Sequence, residues 1–169
     1  MIALLIVIFS IIARVLPHPP NFTPIGSSAL FGGTYLNKKW ALALPLLAMF
    51  ISDIFIGFDN VTSRLYVYSS LFLAGLIGLW LRDHKSFRNI VLGTFVSSLL
   101  FFLITNFGVW AHSGMYEKTL MGLMQSYLMG LPFFRNTLLG DFFYTGLFFG
   151  AYEISLYALK RFQLARRPA

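Results

Sequence analysis

The sequence predicts an all-α fold, a polytopic membrane helix bundle of about six transmembrane helices that forms a single integral membrane domain over residues 1–169. Three observations predict it. The chain is 57% hydrophobic and 11% charged, whereas a soluble domain has about 25% charged residues. Its apolar residues form runs, several of them close to the roughly 20 residues that a spanning helix needs. Its basic residues lie mainly in short connections between these runs, as the positive-inside rule requires.

Six apolar segments are predicted to form the helices. The first has neither the basic start nor the small-residue cleavage site of a signal peptide, so we expect it to be retained as an anchor. The second has about 12 residues, roughly 18 Å of helix against a hydrocarbon core of about 30 Å. Three alternatives follow for this second segment: a full crossing, an earlier start near Phe22, or a re-entrant half-helix. We expect a full crossing. In chain order the segments are Met1–Leu16, Ile25–Leu36, Trp40–Phe58, Tyr66–Leu81, Ile90–Trp110 and Thr137–Leu159.

A further apolar stretch, Thr119–Phe134, precedes the last segment. If this stretch crossed the membrane, the basic C-terminal tail would lie outside, against the positive-inside rule. We therefore predict a short helix that lies in or dips into the outer interface and ends at Pro132.

The distribution of charge predicts the orientation. Nine basic residues fall on one side of the membrane, which places them and both termini in the cytoplasm of a prokaryotic cell with a multi-pass protein in its cytoplasmic (inner) membrane. The same pattern explains the net charge of +7, so nucleic acid is not an expected partner. The chain has no cysteine, which excludes disulfides and thiolate chemistry. The nine residues are Lys38, Lys39, Arg82, Lys85, Arg88, Lys160, Arg161, Arg166 and Arg167.

Asp141 lies in an otherwise apolar segment, where a carboxylate near the bilayer midplane costs roughly 2.5–3.5 kcal/mol and needs a partner or a function. Counting helical rise places Asp141 in the outer third of the bilayer with Asp53, Asn106 and Arg14. One interpretation is pairing for stability, of Arg14 with Asp53 or of Arg135 with Asp141. The other is a solvent-accessible ligand cavity. The two interpretations can coexist.

The outer connections carry aromatic, imidazole and amide groups. Asn21 lies in a stiff proline-rich turn, and Trp110, His112 and Tyr116 suit either a lid over an amphipathic ligand or an interfacial aromatic belt. Tyr144 lies on the polar face of the last segment. No spacing indicates a metal site, and neither a catalytic residue nor a cofactor is expected. The candidate substrate-binding residues are Asp141, Asn106, Asp53, Arg135, Arg14, Trp110, His112, Tyr116, Tyr144 and Asn21.

Small residues spaced four apart predict close contacts between helices. Gly146 and Gly150 form one such pair, and Ala29 and Gly33 form another. We interpret both pairs as packing devices.

Three stretches resemble a family of uncharacterised prokaryotic membrane proteins: RVLPHPPNFTPIGSSALFGGTYLNKKWALALPLLAMFISDIFIGF, FFLITNFGVWAHSGMYEKTLMGLMQSY and LPFFRNTLLGDFFYTGLFFG. The layout is also remotely similar to the S components of energy-coupling-factor (ECF) vitamin transporters, through its short second segment with Gly32–Gly33 and its long aromatic loop. That resemblance implies six helices, cytoplasmic termini and a ligand pocket at the outer side, and it transfers no binding residues. The first segment lacks the alanine-spaced docking motif of S components. The cysteine of the cobalamin-binding members is also missing.

The sequence favours a membrane substrate-binding or transport protein that captures a small, vitamin-like nutrient from the outer side. Its expected partners are the lipid bilayer and a small-molecule ligand, and an energising transporter module is a candidate partner. The alternative is a small membrane scaffold or accessory subunit with no ligand, in which the polar side chains only hold helices together. An enzyme is not expected, because no GxSxG elbow, zinc motif or phosphate-binding glycine loop is present.

Overall fold

The computed structural model describes residues 2–165, and within that range it contains six α-helices. The predicted all-α class is confirmed. Met1, Arg166 and Arg167, which belong to the predicted first segment and basic tail, lie outside the described residues. The helices are α1 (Ile2–Val15), α2 (Ile25–Tyr35), α3 (Ala43–Ile56), α4 (Val61–Asp83), α5 (Phe87–His112) and α6 (Leu120–Ala165).

Helices α4 and α5 are long and apolar enough to cross a membrane. Only 33% and 28% of their most apolar stretches are buried inside the protein. The core helix of a soluble protein would be mostly buried, whereas these two helices expose large apolar side chains such as Trp80, Phe95 and Phe107. This exposure indicates a membrane protein. Helices α1 and α3 are apolar but shorter, with 14 residues each.

Helix α2 occupies the centre of the bundle, in contact with each of the other five helices. Of its 11 residues, all but Gly26 and Tyr35 are buried. Its sequence, IGSSALFGGTY, consists mainly of small and hydroxyl side chains, which let neighbouring helices approach it on every side. At 1.5 Å per residue the helix measures roughly 16 Å, about half of a hydrocarbon core. Helix α2 alone therefore does not account for a crossing.

Helices α2 and α4 meet almost backbone to backbone. A methyl group added to Gly33 would lie 2.3 Å from the Gly75 carbonyl oxygen, and one added to Gly78 would lie 2.2 Å from the Leu30 carbonyl oxygen. Thr34 adds a 3.1 Å hydrogen bond from its Oγ1 to the Gly78 carbonyl oxygen. Only glycine fits at this contact, which sets the distance between the two helices.

One of the two predicted small-residue pairs packs inside the bundle. Ala29 and Gly33 are buried in α2, so their predicted role is confirmed. The prediction for Gly146 and Gly150 is wrong within the described residues, because a methyl group added at either position would have no atom within 4 Å.

The last helix also differs from the prediction. The prediction of a separate interfacial helix that ends at Pro132 is wrong, because α6 is one 46-residue helix with Pro132 inside it. Thr119 marks its start, where the Thr119 Oγ1 accepts a 3.1 Å hydrogen bond from the Gly122 N–H. The 46 residues correspond to roughly 69 Å of helix, more than twice the thickness of a hydrocarbon core.

The first part of α6 packs antiparallel against the end of α5, which explains why the proline does not end the helix. The Ser126 hydroxyl donates to the Asn106 carbonyl oxygen over 2.8 Å, and the Tyr127 hydroxyl donates to the Leu103 carbonyl oxygen over 3.1 Å. These contacts hold the segment in place although a proline removes one helical hydrogen bond.

One end of the bundle, the basic end, carries Lys38, Arg82 and Lys85. There Arg82 Nη2 donates to the Leu36 carbonyl oxygen over 2.5 Å. This hydrogen bond gives a partner to a carbonyl group at the C-terminus of α2 that has none within the helix. Lys85 pairs with Glu153 of α6 over 2.6 Å. These contacts tie the ends of α2 and α4 to α6 at the level of Glu153, about 18 Å before α6 ends at Ala165.

The variant Gly78→Ala is expected to lose about 1–3 kcal/mol of stability through overpacking. The new methyl group would meet the Leu30 carbonyl oxygen, a backbone atom that cannot move unless α2 shifts. The matched variant Gly146→Ala has open space around it and should be neutral, or more stable by up to about 1 kcal/mol. Thermal unfolding in detergent micelles measures both variants, and equal melting temperatures would contradict the α2–α4 contact.

Candidate functional site

The end of the bundle opposite the basic end, called the loop end, carries the connections 16–24, 57–60 and 113–119. A cavity of about 210 Å³ lies below it between α2, α4, α5 and α6. This volume corresponds to about seven water molecules in the liquid. The wall combines apolar and hydroxyl side chains with three charged groups. These groups belong to Arg14, Asp59 and Asp141.

The connection 16–24 enters the bundle beside α6. A methyl group added to Gly140 of α6 would lie 3.1 Å from the Phe22 Cα, so the two backbones are in close contact. Asn21 lines the cavity and has a left-handed backbone with a φ of 62°, which asparagine tolerates better than most residues. Gly26, in the first turn of α2, also lines the cavity. Helix α2 therefore begins at the cavity wall.

Asp141 is 6% exposed and lies on this wall, beside the start of α2. Its Oδ2 accepts a 2.7 Å hydrogen bond from the Ser98 hydroxyl of α5. Its Oδ1 lies 3.4 Å from the Ser27 Oγ, and a methyl group added to Gly26 would lie 2.5 Å from it. Among the described residues, the two ion pairs within 4 Å do not include Asp141. Its carboxylate is thus surrounded by hydroxyl groups and the first turn of α2.

A layer of hydroxyl contacts, called the hydroxyl floor, lies behind the lining of the cavity, on the side of Asp141 towards the basic end. The Ser27 hydroxyl donates to the Asp141 carbonyl oxygen over 2.9 Å, and the Thr145 hydroxyl donates to the Ser27 Oγ over 3.2 Å. The Thr94 Oγ1 lies 3.4 Å from the Thr145 Oγ1. Hydroxyl contacts of this kind commonly join membrane helices. They hold α2, α5 and α6 together beneath the cavity.

Ser97 differs from these hydroxyl residues. It is 5% exposed and lines the cavity, and its Oγ has no hydrogen-bond partner in the part of the chain that the structure describes. A helical serine commonly bonds to the carbonyl oxygen four residues earlier, as Ser70 does to Tyr66 over 2.7 Å. A buried hydroxyl without a partner costs about 1–3 kcal/mol. Ser97 therefore lines the cavity with a hydroxyl whose hydrogen-bonding capacity is unused, and the Oγ itself has almost no accessible surface.

Arg14 and Asp53 form an ion pair with 2.7 Å between Nη1 and Oδ1, as the first of the two predicted pairings requires. The Tyr68 hydroxyl donates to the Asp53 Oδ2 over 2.9 Å. Arg14 Nη1 also donates to the Ser52 hydroxyl and to the Met49 carbonyl oxygen. Both carboxylate oxygens of Asp53 accept hydrogen bonds from protein groups, so Asp53 acts as the structural partner of Arg14. Arg14 also lines the cavity.

Two further cavities adjoin the first at the loop end. One has a volume of about 330 Å³ and contains Arg64, and the other has a volume of about 390 Å³ and contains Asn106 and Tyr116. Asp59 and Val67 line all three cavities, so the cavities are direct neighbours, and they are together called the branched cleft. The cleft carries two basic and three acidic groups, so its charge is opposite to the net charge of the chain, +7. These groups belong to Arg14, Arg64, Asp53, Asp59 and Asp141.

The branched cleft contains most of the candidate binding residues. Arg135, in contrast, is exposed and lines none of the three cavities, and it does not pair with Asp141. The second pairing considered from the sequence is therefore wrong. The candidates that line the cleft are Asp141, Asn106, Asp53, Arg14, Tyr116 and Asn21.

Three aromatic candidates lie outside the lining of the cleft. The Trp110 indole N–H donates to the Glu117 carbonyl oxygen over 2.9 Å, and the His112 Nδ1 lies 3.2 Å from the Tyr66 hydroxyl. Tyr144 lies in an aromatic cluster of α6 and the connection 16–24. Trp110 and His112 thus stabilise the structure at the end of α5, and of the expected lid only Tyr116 reaches the cleft.

Asp141 lies level with the middle of α5, whereas the sequence predicts a position near the outer ends of the helices with Asp53, Asn106 and Arg14. Its partner Ser98 is roughly 16 Å from one end and roughly 21 Å from the other end of α5 (Phe87–His112), which is close to the middle of that helix. Arg135 does not mark the loop end, because α6 begins well before it. Asn106 lies about 12 Å nearer the loop end than Ser98. The polar groups therefore lie at different heights and are connected by the branched cleft.

Reasoning from the sequence misses Ser97, Asp59 and the first turn of α2. Ser97 lies in an apolar segment beside Ser98, and Asp59 lies in a connection, so neither has a periodic signal. The string GSSALFGG does contain a signal. A segment that is small and polar on every face has no surface suited to lipid, so it belongs in the centre of a bundle.

A family model matches residues 1–164, and its description is a family of unknown function, DUF6580. The chain belongs to this family. No curated protein and no solved structure matches the chain. The DUF6580 match extends over the whole branched cleft.

In this DUF6580 protein, Asp53→Asn is expected to cost about 3–5 kcal/mol, because it leaves Arg14 without its counter-charge. The side chains of this pair are only 14% and 6% exposed. The matched variant Glu153→Gln breaks a pair whose side chains are 40% and 47% exposed, and it should cost about 0–1 kcal/mol. Thermal unfolding in one detergent compares the two. Equal losses would show that water in the cleft screens the Arg14–Asp53 pair.

Proposed function

We propose that the protein is a membrane substrate-binding protein that captures a small, nutrient-like molecule from the outer side of a prokaryotic cytoplasmic membrane, in the manner of an ECF S component. In this proposal the loop end faces outwards, and the basic end and both termini are cytoplasmic, as the positive-inside rule favours. The chain would cross six times. The connection 16–24 and α2 would together make the second crossing.

The position of Asp141 is the observation that carries the proposal. An intramembrane carboxylate with a purely structural role is expected to pair with a basic group, as Asp53 pairs with Arg14. Asp141 instead accepts a hydrogen bond from Ser98 and lines a cavity of about 210 Å³. A concave, partly apolar site with a few converging polar groups is typical of small-molecule binding.

The connection 16–24 supports the same conclusion. Non-helical backbone at membrane depth is tolerated only where it is buried in protein or lines a water-filled cavity. This connection lines the branched cleft through Asn21. Transporters often place substrate sites at helices that are interrupted within the membrane. The interrupted second crossing is such a helix.

The ligand would enter through the loop end and move inwards along the cleft. Asn106 and Tyr116 line its outer part, and Asp141 and Ser97 line its inner part. Because the hydroxyl floor closes the cavity towards the basic end, release to the cytoplasm requires the helices to rearrange. An energising transporter module is the proposed partner for that step.

A small membrane scaffold or accessory subunit is the second candidate function. The Arg14–Asp53 network favours it, since this charged pair is satisfied entirely by protein groups. In such a protein the branched cleft would hold only water.

Native mass spectrometry of protein purified in a mild detergent tests the proposal. The wild type is expected to retain a small molecule. Ala74→Leu should abolish retention, because Ala74 is 3% exposed and lines the cavity, which the larger side chain would fill. The matched variant Ala151→Leu makes the same change at an exposed position of α6 and should retain the molecule.

Two results would contradict substrate capture. One is wild-type protein without any bound small molecule. The other is equal retention by Ala74→Leu and Ala151→Leu, which would place the molecule elsewhere on the protein, for example among the lipid contacts.

A further inference from the structure

We propose that the molecule captured in the branched cleft carries a positively charged ammonium group and that Asp141 is its counter-charge. The inference rests on the proposed function and names the chemical class of the substrate. It depends on three observations: the charges of the cleft, the hydrogen-bonding groups of the inner cavity, and the volume of that cavity.

The charges of the cleft leave an acidic group unmatched at its inner end. Arg14 lies on the same wall as Asp141, but it is bonded to Asp53 over 2.7 Å. Arg64 lines a different cavity of the cleft. Asp59, the remaining charged group of the inner cavity, is itself acidic. A cation in this cavity would therefore meet net negative charge, and water screens the charge of the buried Asp141 less than that of the exposed Asp59.

Two of the four hydroxyl groups that line the inner cavity present acceptors rather than donors. The Ser70 and Thr137 hydroxyls line the cavity and donate their hydrogens to carbonyl oxygens four residues earlier in their own helices, over 2.7 Å and 3.0 Å. Their lone pairs remain for a ligand. Ser97 adds a buried hydroxyl that has no partner among the described residues. An ammonium group, with three N–H donors and no acceptor, complements this wall and the Asp141 carboxylate.

The volume of the cavity favours an organic cation over an inorganic one. A volume of about 210 Å³ holds about seven water molecules, far more than one small ion occupies. Ile25, Leu71 and Phe101 form an apolar part of the wall, which suits the hydrocarbon body of an amine. No group of three histidine, cysteine, aspartate or glutamate residues that would hold a metal occurs in the described part of the chain.

Propylamine and 1-propanol provide a matched pair of probes. They have nearly the same shape, and only propylamine is positively charged at neutral pH. In lipid nanodiscs, propylamine is expected to raise the melting temperature of the wild type in a saturable way, whereas 1-propanol, NaCl and KCl should not.

Asp141→Asn should weaken propylamine binding by about ten- to a hundredfold, the range for a lost hydrogen bond to a charged group. Glu153→Gln removes the same charge outside the cleft and should bind propylamine like the wild type.

Ser97→Ala keeps the test decisive if Asp141→Asn does not fold. The Ser97 hydroxyl makes no hydrogen bond within the described residues, so removing it should leave the stability of the ligand-free protein unchanged or higher. Propylamine binding should nevertheless weaken about three- to tenfold, as expected for one lost hydrogen bond. Unchanged binding in Ser97→Ala would overturn the assignment of the ammonium group to this cavity.

Other results separate this inference from the proposed function. A neutral or anionic molecule that is retained by the wild type and lost in Ala74→Leu would overturn the ammonium assignment and leave substrate capture intact. Equal saturable stabilisation by NaCl would also overturn it in favour of an inorganic cation. If the wild type retains no molecule and no probe stabilises it, substrate capture itself is wrong.

Discussion

The close contact between α2 and α4 is the constraint on which the rest of the structure depends. Because Gly33 and Gly78 have no side chains, α2 can lie against the backbone of α4 in the centre of the bundle. That position brings the first turn of α2 beside Asp141 and its last turn beside Arg82. The cavity wall, the hydroxyl floor and the basic end are thus all positioned by one helix that is too short to span a membrane.

The sequence predicts the parts of the fold that depend on local pattern. Apolar runs indicate the helices, and the pairing of Arg14 with Asp53 follows from two opposite charges that need to be neutralised near the same end of their helices. The continuity of α6 could not be predicted, because a proline usually ends a helix and the contacts of Ser126 with α5 exist only in the folded protein. The level of Asp141 in the bundle could not be predicted either, because it depends on where α6 begins. The unpaired hydroxyl of Ser97 depends on tertiary contacts and has no signal in the sequence.

The two buried aspartates, Asp53 and Asp141, differ in their surroundings more than in their burial. Asp53 accepts hydrogen bonds from arginine and tyrosine side chains, and its charge is balanced within the protein. Asp141 is similarly buried, yet serine hydroxyls are its partners and an open space adjoins it. A carboxylate that is buried with its counter-charge stabilises the fold. One that is buried beside a cavity without a counter-charge is the basis for proposing a binding site.

The proline content of the connection 16–24 has a consequence for its solvation. Four of its nine residues, Pro17, Pro19, Pro20 and Pro24, have no amide hydrogen. A polypeptide that leaves water without forming a helix normally exposes every amide hydrogen to hydrocarbon or must find an acceptor for each one. In the connection 16–24, nearly half of the residues have no amide hydrogen that would need an acceptor. In the proposed topology, the dehydration penalty of this irregular stretch is correspondingly small, so the protein would tolerate an interruption at a depth where most sequences require continuous helix.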